Sequence, residues 1–148
     1  MRVATMASAG LMLAAGAAHI VLRADEPKRS VWDGVYTAEQ AKRGQPLYVK
    51  ACGSCHAGDL SGGESAPPLA GGEFMSNWNG LTAGELFERI RITMPADKPG
   101  KLSREVNADI LAYMLEANRF PAGAVELPRA TELLKKIKIE ANKPESKK

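Results

Sequence analysis

The run Cys52-Gly53-Ser54-Cys55-His56 constrains this chain more than any other feature. Its C-x-x-C-H spacing is the attachment pattern for a covalently bound haem. Cysteines three positions apart lie on one side of a helical turn. Each thiol can then add to one of two vinyl groups on adjacent edges of a haem. The histidine that follows can set a ring nitrogen under the iron. The expectation is one haem c, held through Cys52 and Cys55 and ligated by His56.

Three other readings compete for these residues. A structural zinc site usually takes four protein ligands, and the chain has two cysteines and two histidines, of which His19 lies in the N-terminal segment. A dithiol oxidoreductase expects a strand before the motif and a βαβ setting, and neither is visible. A structural disulfide leaves the adjacent histidine unexplained.

The N-terminus reads as an export signal. Arg2 gives a positive start, and an Ala-rich apolar run without a carboxylate extends from Val3 to Leu22. Small residues around Gly16 to Ala18, or Ala24, suit a signal peptidase. The rival is an uncleaved anchor, since the run reaches the minimum length for a membrane span. Either way the protein is expected in the periplasm, free or anchored to the membrane and facing it. Two thiols in that oxidising compartment need an occupant.

A chain of 148 residues suits one compact domain. Aromatics make up only 5%, so few large side chains are at hand for a core, and a bound apolar cofactor would fill the deficit. The net charge is +3, and loss of residues 1–24 would take Arg2 and Arg23 with it. Such near-neutrality argues against nucleic acid as a partner. The tail, residues 129–148, holds seven basic and three acidic residues and reads as a solvated helix end.

Residues 25–36 form a polar lead-in. Thr37 with Gln40 makes a capping box, and Ala41, Gly44, Leu47, Tyr48 and Ala51 then recur at helical spacing, with a kink expected at Pro46. Residues 57–72, rich in Gly and Pro, read as loop. Thr82 with Glu85 opens a second helix, which should stop before Pro95. Ser103 caps a third, with Val106, Ile110, Leu111, Met114 and Leu115 in register. Residues 131–139 give a short last helix. No stretch alternates as a strand, so the class is all-α.

A haem iron has a second axial position, and Met75, Met94 and Met114 follow the motif. Met114 shares the periodic face of its helix and reads as core. Met75 follows Phe74 and can simply pack. Met94 stands between a helix end and Pro95, in a loop able to cross the opposite haem face, and is the preferred ligand.

Residues 37–120 resemble a class I cytochrome c. The likeness rests on Gly44 and Tyr48 before C-G-S-C-H, on A-P-P-L-A-G at 66–71, on T-M-P at 93–95 and on the helix that follows. The resemblance implies three to five helices wrapped around one covalently attached haem, with His/Met ligation. It implies that the Pro67 carbonyl accepts a hydrogen bond from the non-ligating nitrogen of His56, and that Trp78 reaches a haem propionate. It also implies that the first and last helices cross through Gly44 and Tyr48 against Tyr113. Residues 121–148 form a C-terminal extension beyond the shortest family members.

The expected function is outer-sphere transfer of single electrons rather than catalysis, because two protein ligands leave no open position on the iron. The implied partners are a redox donor and acceptor, such as a periplasmic dehydrogenase and a terminal oxidase. Two alternatives remain: a haem c subunit of a dehydrogenase or oxidase complex, and a thiol–disulfide oxidoreductase using Cys52 and Cys55.

Overall fold

The computed structural model describes residues 29–145. The expected leader, residues 1–24, lies outside the described residues. Six α-helices follow one another: α1 (Ala38–Ala51), α2 (Gly53–His56), α3 (Gly71–Trp78), α4 (Ala83–Thr93), α5 (Arg104–Ala117) and α6 (Thr131–Leu134). The all-α class stands. The helix count exceeds the three to five expected because α2 and α6 are single turns.

The helix starts obey local chemistry. Thr82 accepts from the Glu85 N–H while the Glu85 carboxylate accepts from the Thr82 N–H, a complete capping box. Ser103 caps α5 by accepting from the Val106 N–H. Thr37 caps α1 through the Gln40 N–H, but the Gln40 side chain turns away. Its amide exchanges two hydrogen bonds with the Leu127 backbone, at 2.6 and 3.1 Å. Helix α1 continues through Pro46 to Ala51.

Helices α1 and α5 form the central pair. They approach so closely at Gly44 that a methyl group there would overlap the Asp109 carbonyl. One turn on, the rings of Tyr48 and Tyr113 lie 5.4 Å apart, as the resemblance implied. Arg43 seals the rim with a two-pronged bond to Asp109, at 3.1 and 3.2 Å, and a further pair to Glu126.

Both ends of the described chain pack onto this body. Ser30 caps a 3-10 turn over Val31–Asp33, where only a polar lead-in was expected. Val31, Val35 and Tyr36 are buried there, as are Leu127, Leu134, Ile137 and Ile139 of the tail. The last helix stops at Leu134, short of the expected span, and its sequence Thr-Glu-Leu-Leu carries no basic residue. Three residues on, β2 (Ile137–Lys138) pairs in parallel with β1 (Arg29–Ser30). This short ladder was not anticipated. Its partner lies over a hundred residues away, beyond the reach of any local periodicity. The tail also joins the α3–α4 turn, where Gly80 donates to the Ile139 carbonyl and Ile139 donates to the Leu81 carbonyl.

Candidate functional site: the Cys52–His56 turn and its surroundings

Helix α1 delivers the chain to Cys52, whose N–H still bonds the Tyr48 carbonyl at 2.7 Å. Cys52 then accepts from the N–H groups of Cys55 and His56 with its own carbonyl, at 3.1 and 3.0 Å, and this closes the single turn of α2. The cysteines are therefore one helical turn apart. Neither is in a disulfide; Cys52 is half-buried and Cys55 exposed. Burial, and secondarily Cys55, pushes the Cys52 thiol up to about 11. A thiol–disulfide exchanger has its attacking thiol shifted the other way.

His56 is buried, at 8% exposure. Its Nδ1 lies 2.8 Å from the Pro67 carbonyl oxygen. A carbonyl can only accept, so Nδ1 carries a proton, and in the neutral ring Nε2 presents the lone pair. The intervening loop is folded to bring this about. Ala57 and Leu60 adopt left-handed backbone angles, with φ of 60° and 63°. Gly62 donates to the His56 carbonyl at 2.9 Å, and Leu69 donates to the Leu60 carbonyl at 2.9 Å. At Gly62, φ is +79° and an added Cβ would stand 2.6 Å from the Pro68 nitrogen, so only glycine fits beneath the proline pair. The Tyr48 hydroxyl, its ionisation suppressed by burial, donates to the Ala57 carbonyl at 2.8 Å and steadies the turn after His56.

The structure thus gathers Cys52, Cys55, His56 and Pro67 in direct contact or within one turn. The other candidates stand on separate elements packed against the same core. Met94 is the C-cap of α4, partly buried, with its N–H on the Ile90 carbonyl at 2.9 Å and a cis peptide to Pro95. Met75 lies in α3, partly buried. Met114 is buried in α5. Trp78 ends α3, its ring centroid 6.4 Å from that of Phe74.

The sequence reading passed over Asn118, the C-cap of α5. Its side chain bonds the backbone of Leu69 and Gly71, just beyond the proline pair. An asparagine after the last periodic residue of a helix was the available signal.

These residues fit a haem. Two cysteines sit one turn apart beside an imidazole whose Nδ1 is held by the Pro67 carbonyl, so that Nε2 is the nitrogen left for iron. Several apolar side chains (Leu69, Met75, Trp78, Met94 and Leu102) are only partly buried by the protein itself. Among the described residues, no three His, Cys, Asp or Glu side chains cluster as a metal site. Among the same residues, no helix is long and apolar enough to cross a membrane.

A family model described as cytochrome C oxidase, cbb3-type, subunit III matches residues 39–114. A search of curated protein sequences returned no match. Among solved structures, the chain is similar to one from the crystal structure of the sulfane dehydrogenase SoxCD from Paracoccus pantotrophus. The identity is 23% and the TM-score 0.44, over 60% of this chain and 53% of that one. The chain therefore spans about half the length of that relative.

Proposed function

This chain belongs to the cytochrome c family described as cbb3-type cytochrome c oxidase subunit III, and we propose that it is a monohaem carrier of single electrons with its haem attached through Cys52 and Cys55. Electron transfer between redox partners is the role this family membership gives it. The observation that carries the finer reading is the His56 Nδ1–H bond to the Pro67 carbonyl, at 2.8 Å, beside two free thiols one turn apart.

When bound, the haem supplies an Fe(III)/Fe(II) couple. The protein does the rest. Cys52 and Cys55 would tether the group, and His56 would offer Nε2 to the iron. Pro67 fixes the tautomer and ring orientation and makes Nε2 more basic. Met94 would supply a thioether to the iron, a donor that favours the reduced state and raises the potential. The Trp78 indole N–H would donate to a propionate. With His56 and Met94 both holding the iron, the chain would carry electrons and not itself turn over a substrate. Residues 37–120 form the haem-bearing unit and 121–148 its extension. Residues 1–24 direct export to the periplasm, whether cleaved or retained as an anchor.

The experiment is the visible spectrum of the purified protein, oxidised and reduced, before and after acid–acetone extraction. Sharp reduced-state bands that survive extraction are expected. A colourless protein with two titratable thiols would overturn the reading in favour of the dithiol alternative.

The family's description, a subunit of an oxidase, favours a second reading. Here the chain is a fixed haem c subunit within an oxidase or dehydrogenase complex. Co-purification with larger redox subunits from native material would select it over a free shuttle between a periplasmic dehydrogenase and a terminal oxidase.

A further inference from the structure

We propose that Asn118 is a positioning residue for the His56 imidazole, acting through the Leu69–Gly71 backbone and the Pro67 carbonyl. The inference rests on the ligation of His56 proposed above.

Asn118 uses both faces of its amide. Nδ2 donates to the Leu69 carbonyl at 3.0 Å and to the Met114 carbonyl at 2.8 Å. Oδ1 accepts from the Gly71 N–H at 3.0 Å. Both amide protons and the oxygen are engaged, so the side chain has one orientation. Its own position is also determined. Asn118 donates its backbone N–H to Met114, and the next residue, Arg119, adopts a left-handed φ of 65°. Phe120 then closes the helix end on the Leu115 carbonyl. Helix α5 is in turn locked against α1 at Gly44.

The segment that Asn118 holds needs an outside anchor. Pro67 and Pro68 have no backbone N–H, so the stretch that presents the Pro67 carbonyl cannot be pinned by its own donors. It is fixed from its two ends. One end is tied to His56 itself, through Gly62 on the His56 carbonyl, and Gly63 donates to the Ala66 carbonyl at 2.9 Å just before Pro67. The other is Leu69–Gly71, tied to Leu60 by one backbone bond and to α5 by the Asn118 side chain. Removing the side chain frees the second end. The Pro67 carbonyl then drifts, the Nδ1–H bond weakens, and Nε2 becomes a poorer donor. A poorer donor favours Fe(II), so the midpoint potential rises.

The test uses the purified holoprotein and its Asn118→Ala and Asn118→Ser variants. Gln40→Ala is the control, because it also removes two side-chain amide bonds to backbone but at the tail. Asn118→Ala is expected to shift the midpoint potential upward and to speed solvent exchange of the His56 Nδ1–H in proton NMR. Asn118→Ser, which retains one hydroxyl for the segment, should shift both by less. Gln40→Ala should lower the melting temperature and move neither. Unmoved midpoint and exchange in Asn118→Ala, with stability lowered, would overturn the positioning role. Should neither Asn118 variant accumulate, exchange in the wild-type holoprotein under mild denaturant decides. Opening of His56 Nδ1–H and Asn118 Nδ2–H as one unit supports the proposal, and His56 opening while Asn118 stays protected overturns it. Absence of hyperfine-shifted His56 ring resonances in the oxidised wild type would instead remove the ligation reading. Their presence beside an unmoved midpoint removes only the role of Asn118.

Discussion

Gly44 of α1 rests directly on the carbonyl group of Asp109 in α5, with no space between them for a methyl group. The contact is backbone on backbone, so no side-chain rotation can relieve an added carbon. Gly44→Ala must push the two helices apart. Overpacking of this kind costs about 1–3 kcal/mol or more. The melting temperature of the holoprotein should fall accordingly, with the Tyr48–Tyr113 pair and the Arg43–Asp109 bond disturbed together. A melting temperature equal to wild type would show that the helices can separate without loss.

The Gln40 side chain joins α1 to the tail through both polar groups of Leu127. Gln40→Ala leaves a buried N–H and a buried carbonyl unpaired, each costing about 1–3 kcal/mol. Because Leu127, Leu134, Ile137 and Ile139 are buried, loosening Leu127 should expose the tail first. Limited proteolysis should cut the variant after position 121 well before the body is degraded. Cleavage at the wild-type rate would mean that the tail is held without this link.

The helices with their own caps and apolar stripes were legible in the sequence. Thr82 with Glu85, Ser103, and the face from Val106 to Leu115 each carry their instruction within a few residues. The turn around Cys52 was legible because its chemistry demands it. Helix α3 was not anticipated, its first two residues being read as loop, and the reason is physical. It begins on Gly71-Gly72 after Ala70, with no side-chain cap of its own. Its first N–H is satisfied by Asn118, from the end of α5. The last helix was overextended for a similar reason. Leu133, Leu134 and Ile137 do recur at helical spacing, but Ile137 is claimed by pairing with Arg29. At Gln40 the local signal was outbid by Leu127. The capping box over Ser30 and Asp33 was present in the sequence and was masked by the polar look of the lead-in.

Glu88 joins α4, α5 and α6. It accepts from Arg91 and from the Thr131 hydroxyl, and Arg104 lies 3.8 Å away. The hydrogen bond from Arg91, then that from Thr131, lowers its carboxyl from 4.5 to about 2. A carboxyl depressed on folding adds stability that is complete above its ordinary value and is lost as pH falls toward the folded value. The holoprotein should therefore lose stability as the pH drops from about 4.5 towards 2. Glu88→Gln should lower the melting temperature at neutral pH and flatten its acid limb. Parallel acid limbs in the two proteins would assign the acid sensitivity to other groups.

Met94 and Met75 can be told apart by the iron they do or do not touch. Helix α4 separates Met94 from the Cys52–His56 turn, whereas Met75 comes before α4, within α3. The chain can pass around a haem edge along α4 and return at its C-cap, where Met94 has extended backbone angles and only a partly buried side chain. Met75 is also partly buried against the core, but it is held within a helix beside Phe74. A thioether on ferric haem gives a weak charge-transfer band in the far red. Met94→Ala should abolish that band, lower the midpoint potential by removing the sulfur that favours Fe(II), and open the iron to added imidazole or cyanide. Met75→Ala should keep the band and exclude both ligands. The reverse pattern, with the band lost in Met75→Ala and kept in Met94→Ala, would assign the axial sulfur to α3 and leave Met94 as a packing residue at the end of α4.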